Sequence, residues 1–233
     1  MKESAAKELL DLVRDGYNEI AVDFDATRRK ELWPEMRRFA VAVKDGEKIL
    51  DAGCGNGRLL EALKDKKIEY LGIDNSKNLL ALARRNYPAQ NFLEADILDL
   101  RALPDGYFDQ IFCLAVLSHL PTRARRVEAL RQLALKLKPG GEIIISVWNL
   151  KNNPRYRPLI FKNILFKILG KHKFGWRDLV FTWKDSRGKE IGQRYYYVFS
   201  PRELKKTVIG ADLKIKEFFK NKFNYWLVLR REE

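Results

Sequence analysis

Cysteine and histidine are scarce in this chain, two of each among 233 residues. Cys54 falls in a glycine-rich turn and Cys113 inside an apolar stretch. That leaves no disulfide framework and no metal-ligand spacing, so a reducing, cytoplasmic setting with no bound metal is expected. Long apolar runs are missing as well. None approaches the roughly 18 residues that a membrane span requires, and the charged N-terminus lacks a secretory core. Without repeats or low-complexity tracts, residues 1–233 read as one α/β domain with a core of ordinary size.

Acidic residues are scarce in one part only. Residues 150–233 hold 21 Lys+Arg against 8 Asp+Glu, whereas 1–149 hold 24 against 23, so nearly all of the net charge of +14 lies in the C-terminal part. A near-neutral segment joined to a strongly basic one suggests a polyanionic substrate or partner, with ordinary solvated lysine as the alternative.

What the chain does have is Lys48-Ile49-Leu50-Asp51-Ala52-Gly53-Cys54-Gly55-Asn56-Gly57-Arg58, followed by Tyr70-Leu71-Gly72-Ile73-Asp74. An apolar strand, a glycine-rich turn, a helix start and a second strand ending in an acid form the pattern of a nucleotide-type site. A dinucleotide fingerprint spaces its glycines G-x-G-x-x-G, but here Gly53, Gly55 and Gly57 alternate. Asp51 closes the strand two residues before the first glycine, where a carboxylate repels phosphate and attracts an ammonium or sulfonium. Asp74, at the end of the next strand, is placed to accept hydrogen bonds from both ribose hydroxyls. A nucleoside that also carries positive charge points to S-adenosylmethionine. The alternative is a tight strand-to-helix turn with acids acting only as helix caps.

Asp51-Ala52-Gly53-Cys54-Gly55-Asn56-Gly57, with Asp74 and Asp96, resembles the first motif and strand-end acids of the class I S-adenosylmethionine-dependent methyltransferases. The resemblance implies a Rossmann-like α/β fold, with a mostly parallel seven-stranded sheet and helices on both faces. It also implies S-adenosyl-L-methionine as cofactor and S-adenosyl-L-homocysteine as product. Asp51, Gly53, Cys54, Gly55 and Asn56 would form the cofactor turn, Asp74 and Asn75 would meet the ribose, and Asp96, Ile97 and Leu114 would border the adenine side.

A narrower resemblance rests on Tyr17…Ala21…Phe24…Thr27-Arg28…Trp33-Pro34, on Arg194-Tyr195-Tyr196-x-x-Phe199 and on Asn224-Tyr225-Trp226. These segments are similar to the tRNA wobble-uridine methyltransferases. That subgroup methylates the carboxylate of a carboxymethyl group on a wobble uridine, and often works with a small zinc-binding activator subunit. The resemblance implies that Tyr17, Arg28 and Trp33 line the methionine end and that Arg194, Tyr195, Tyr196 and Asn224 bind the substrate. It also makes His119 a positioning residue rather than a base. Ser118-His119 stands where the subgroup often has paired histidines, and Tyr197 where it often has one. Two other readings stay open: a lipid or quinone methyltransferase at a membrane surface, and an RNA-binding protein that keeps the fold without the activity.

Along the chain, 1–46 reads as a lid segment with a short helix over Ala5–Val13, and 47–149 as the cofactor core. In the core, periodicity predicts strands at Lys48–Asp51, Tyr70–Asp74, Asn91–Asp96, Phe108–Leu114 and Glu142–Trp148, the last following a Lys138–Gly141 turn. Helices are expected at Arg58–Lys64, Lys77–Arg85 and Thr122–Leu137, with Arg123, Arg125 and Arg126 facing either solvent or phosphate. Residues 150–198 form a basic insertion in which Lys151 to Arg177 carries eight Lys/Arg and no acid. Its Leu159–Leu169 helix has an apolar face broad enough to place Phe161, Leu165 and Ile168 in the core, although nucleic-acid or membrane contact fits the same pattern. In 199–233, Ser200, Pro201 and Glu203 predict a capping box, ahead of closing strands at Leu213–Phe219 and Asn224–Arg230.

Overall fold

The computed structural model describes residues 1–28, 32–170, 174–184 and 188–231, the Arg28 side chain excepted. Five parallel strands run through its centre: β1 (Lys48–Ala52), β2 (Glu69–Asp74), β3 (Asn91–Glu94), β4 (Phe108–Leu114) and β5 (Leu137–Trp148). Two antiparallel strands, β8 (Leu213–Lys220) and β9 (Asn224–Arg231), complete the sheet in the order β3-β2-β1-β4-β5-β9-β8. The expected mostly parallel seven-stranded sheet is therefore present. Strands β1 and β4 read as apolar runs because both of their faces are covered. On one face, α6 (Arg123–Lys136) and α8 (Pro201–Ile209) bury Ala129, Leu130, Leu133, Leu204 and Val208. On the other, α3 (Pro34–Ala42) and α4 (Leu59–Leu63) bury Met36, Phe39, Leu59 and Leu63.

Several boundaries differ from expectation for local reasons. The first helix, α1, runs Glu3–Glu19 and carries Tyr17, because Arg14 to Glu19 continues its pattern and Gly16 lets it pass against the Gln193 carbonyl, which an added Cβ would meet at 2.4 Å. Strand β3 stops at Glu94, and the Asp96 carboxylate accepts the Leu98 N–H at 2.9 Å. Strand β5 starts at Leu137, so Lys138–Gly141 lies within it and is taken up by a shift in register against β4 between Phe108 and Gln110. The capping box at α8 forms, with the Glu203 carboxylate accepting the Ser200 N–H. Arg123 donates to the Lys206 carbonyl, Arg125 pairs with Glu3, and buried Arg126 donates to the Leu120 carbonyl, so all three are engaged internally.

Within 150–198 the chain forms α7 (Arg157–Ile168) and an antiparallel pair, β6 (Asp178–Lys184) and β7 (Glu190–Tyr197). Here one expectation is overturned. Phe161, Leu165 and Ile168 are 71%, 44% and 65% exposed, while the position that α7 buries is Asn163, whose amide donates to the Trp176 carbonyl. The helix is apolar nearly all round, so its periodicity does not determine which face turns inward. The β6–β7 pair offers it only the narrow contact of Leu159 and Ile160 with Leu179 and Tyr196.

Candidate active site

One cavity opens at the carboxyl ends of β1, β2 and β4, where open α/β sheets bind ligands. Tyr17, Trp33, Asp51, Gly53, Cys54, Gly55, Asn56, Asp74, Asn75, Asp96, Ile97, Leu114, His119 and Tyr196 all border it. Its floor is the glycine turn. Gly53 has φ +79°, and an added Cβ would stand 2.3 Å from Val116 Cγ2; Gly57 has φ +80°, and a Cβ there would stand 2.9 Å from the Tyr87 ring. Only glycine supplies both that backbone conformation and that closeness.

The two strand-end acids are held differently. Asp74 Oδ2 accepts the Gly55 N–H and its Oδ1 accepts the Ser76 N–H, each at 2.9 Å. Burial raises its pKa above the usual carboxylate value, against the downward pull of these backbone donors. A carboxylate so fixed keeps lone pairs for vicinal hydroxyls. Asp51 is buried and accepts a bond from Tyr70 OH at 2.9 Å. Burial, with a smaller push from Asp74, raises its pKa to about 7. A bound cation would reverse much of that penalty.

Helices α1 and α2 (Ala21–Arg28) roof the cavity. Asn18 accepts from Ser76 Oγ at 2.8 Å, Asp25 accepts from Asn56 at 2.9 Å, and Asp23 accepts from Trp183 Nε1 at 2.7 Å. The roof is thus tied both to the core and to β6.

The far wall is built by η1 (Leu117–His119) and β7. His119 Nδ1–H donates to the Tyr195 carbonyl at 2.9 Å, which leaves Nε2 to accept from Tyr17 OH at 2.9 Å. Burial pushes the imidazole pKa down to about 4, so the ring is neutral near pH 7. Tyr196 lies against His119, with ring centroids 4.7 Å apart. Arg194, only 3% exposed, has its guanidinium 3.5 Å from the Trp183 ring centroid and 5.0 Å from that of Tyr17. Its Nη1 donates to Tyr196 OH at 3.2 Å, while Nε and Nη2 are buried with no hydrogen-bond partner among the described residues. Arg194 does not itself line the cavity: it lies behind the lining residues Tyr17 and Tyr196, a buried guanidinium whose two unpartnered donors are of the kind that an oxyanion would satisfy.

Pleating separates the remaining sequence-based candidates. Tyr195 turns to the opposite face, where its hydroxyl donates to Asp178 at 2.7 Å, so it offers the site its backbone carbonyl rather than its ring. Asn224 is buried beside the cavity rather than on its lining, in register with Trp148, which does line it. Arg28 lies outside the described side chains. Sequence reasoning missed Trp148, Trp183, Phe24 as a lining residue, and Val116. Of these, Val116 sits in the loop after β4, where its place beyond a strand end was a usable signal.

Residues 50–145 match the methyltransferase domain family. A mouse and a yeast (Saccharomyces cerevisiae) tRNA (carboxymethyluridine(34)-5-O)-methyltransferase are each 38% identical over 153 residues, covering 63% and 66% of this chain. The chain spans 22% of the mouse protein's length and 53% of the yeast protein's. Among solved structures, an S-adenosylmethionine-dependent methyltransferase from Methanosarcina mazei superposes with TM-score 0.68 at 19% identity, over 87% of this chain and 99% of that one. A putative methyltransferase crystallised with the Haloferax volcanii Trm112 methyltransferase activator gives 0.62 at 19%, over 95% and 100%. With its strand order, glycine turn and paired strand-end acids, the chain carries a methyltransferase domain of the class I S-adenosylmethionine-dependent fold.

Proposed function

We propose that the protein transfers a methyl group from S-adenosyl-L-methionine to the carboxylate of a carboxymethyluridine in tRNA, in the cytoplasm. Support for the cofactor lies in the cradle itself. Asp74 and Asn75 would hold the ribose, Asp96 and Ile97 the adenine, and Asp51 with the Gly53–Asn56 turn the positively charged methionine end. When bound, that group supplies an electrophilic methyl on a sulfonium.

The observation that carries the acceptor is Arg194 with its two unpartnered buried donors. A carboxylate with an ordinary pKa near 4 is already ionised at neutral pH and needs no base. Accordingly, His119 is neutral and has both ring nitrogens engaged. Its role in this reading is to fix Tyr17 and, through the Tyr195 carbonyl, the strand that presents Arg194. Orientation and exclusion of water by the α1–α2 roof supply the acceleration. The activator seen with the Haloferax protein suggests that this chain, too, works with a small zinc-binding activator subunit.

The test is incubation with labelled cofactor and separate pools of total tRNA, rRNA, lipid extract and small metabolites. The expected result is label in tRNA that mild alkali releases as methanol, as a methyl ester requires. Alkali-stable label, or label confined to lipid, would refute the acceptor. The lipid arm is included because the exposed apolar stripe of α7 favours contact with a membrane surface.

A further inference from the structure

A second hollow, of about 250 Å³, lies on the same carboxyl edge of the sheet, lined by Asn149, Lys151, Asn152, Lys220, Asn221 and Tyr225. Its position follows from the strand register. Trp148, at the end of β5, pairs with Asn224, at the start of β9. The residue after Trp148 enters the hollow and Trp148 itself enters the cofactor cavity, so the two sites adjoin across one residue. The rim is held by backbone and amide bonds. Asn149 N–H donates to the Phe223 carbonyl at 2.7 Å, and Asn221 Oδ1 accepts the N–H groups of Phe223 and Asn224. Asn221 Nδ2 donates to Glu35 at 2.7 Å, which commits that carboxylate to the turn. Lys151 and Lys220 are exposed and pair with no carboxylate among the described residues. With Glu35 the one acid bonded to the lining among the described residues, the hollow keeps an excess of positive charge beside amide groups, the donor set that receives phosphate oxygens.

We propose that this hollow seats a backbone phosphate of the RNA strand next to the nucleotide delivered into the cofactor cavity, with Lys151 and Lys220 as its two cationic contacts. This rests on the RNA reading above and adds a subsite to it. Phosphate contacts fix the register of a strand without reading its sequence. A seat one residue from Trp148 would set which nucleotide reaches the cavity.

The test is fluorescence anisotropy of the full chain with fluorescein-labelled tRNA over about 50 to 200 mM potassium chloride. Wild type is compared with Lys151→Glu/Lys220→Glu and with Lys67→Glu/Arg85→Glu, a control of equal charge change at exposed positions on the opposite edge of the sheet. The hollow variant should lose about tenfold or more in affinity, and its slope of log affinity against log salt should be shallower by about one, as expected for one lost phosphate contact. Its cofactor affinity and thermal midpoint should match wild type, and Lys151→Ala/Lys220→Ala should fall between the two. Equal loss in hollow variant and control would overturn the seat and leave only a general field. Replacing chloride by inorganic phosphate at equal ionic strength should narrow the difference, because the free anion competes for a seat built for phosphate oxygens; a difference that phosphate leaves unchanged would overturn the seat. A wild type that binds no tRNA would sink both this seat and the proposed substrate, whereas tight binding by wild type and hollow variant alike would sink the seat alone.

Discussion

If Asp51 holds the positive end of the cofactor, affinity must follow the ionisation of a carboxyl whose pKa burial raises from 3.8 to about 7. Only the ionised form attracts the cation. Its fraction is about one half at pH 7 and about one hundredth at pH 5, so cofactor affinity should fall about fiftyfold over that interval. The stability of the free protein runs the other way. A folded-state pKa raised above the unfolded one gives stability that is fully present below pH 3.8 and is lost as pH rises through 7. A rise of about three units corresponds to about 4 kcal/mol, an order-of-magnitude ceiling.

Isothermal titration at pH 5, 6 and 7, in two buffers of different ionisation heat, should show weakening affinity toward acid and release of about half a proton on binding at pH 7. Asp51→Asn should bind weakly at every pH, with a flat profile, and should stabilise the free protein near pH 8. A wild-type affinity that does not change between pH 5 and 7, or a slope that survives in Asp51→Asn, would refute the role given to this carboxylate.

Arg194→Ala should reduce methyl transfer about 10- to 100-fold, the loss expected for hydrogen bonds to a charged group, while cofactor affinity measured by titration stays near wild type. Gly53→Ala, forced to φ +79° with its Cβ 2.3 Å from Val116, should cost about 1–3 kcal/mol in denaturant unfolding and abolish cofactor binding. Phe161→Lys and Ile168→Lys should shift stability by less than about 0.5 kcal/mol, as exposed positions do; losses of about 3 kcal/mol or more would mean that α7 packs into the core after all.

The sheet and the cofactor turn were legible because their signals are local. Parallel strands covered on both faces read as apolar runs, and alternating glycines between two acid-tipped strands leave few ligands to consider. The acceptor side was less so, because its geometry comes from pairing across the chain. Arg194 pairs with Phe181 and lies diagonal to Trp183 only through the register of β6 and β7, and the sequence predicted neither strand pairing nor register. Alternation then assigned Tyr196 to the site and Tyr195 to the opposite face, a choice that the string Arg-Tyr-Tyr-Tyr does not reveal. In α7, a nearly uniform apolar surface hid which side would turn inward, and the expected burial of Phe161, Leu165 and Ile168 was reversed.

The close passage of Gly16 against the Gln193 carbonyl bears on how the molecule can be engineered. The first helix is wedged against the strand that carries Arg194 and contributes the hydroxyl that His119 accepts, so it cannot be trimmed as a dispensable leader. Deleting residues 1–19 would strip Arg194 of the Tyr17 ring beside it and remove the part of the roof that α1 forms. A truncated protein should therefore fail on the acceptor even where an excess of S-adenosylmethionine refills the cradle, which makes an internal loop the better place for a tag.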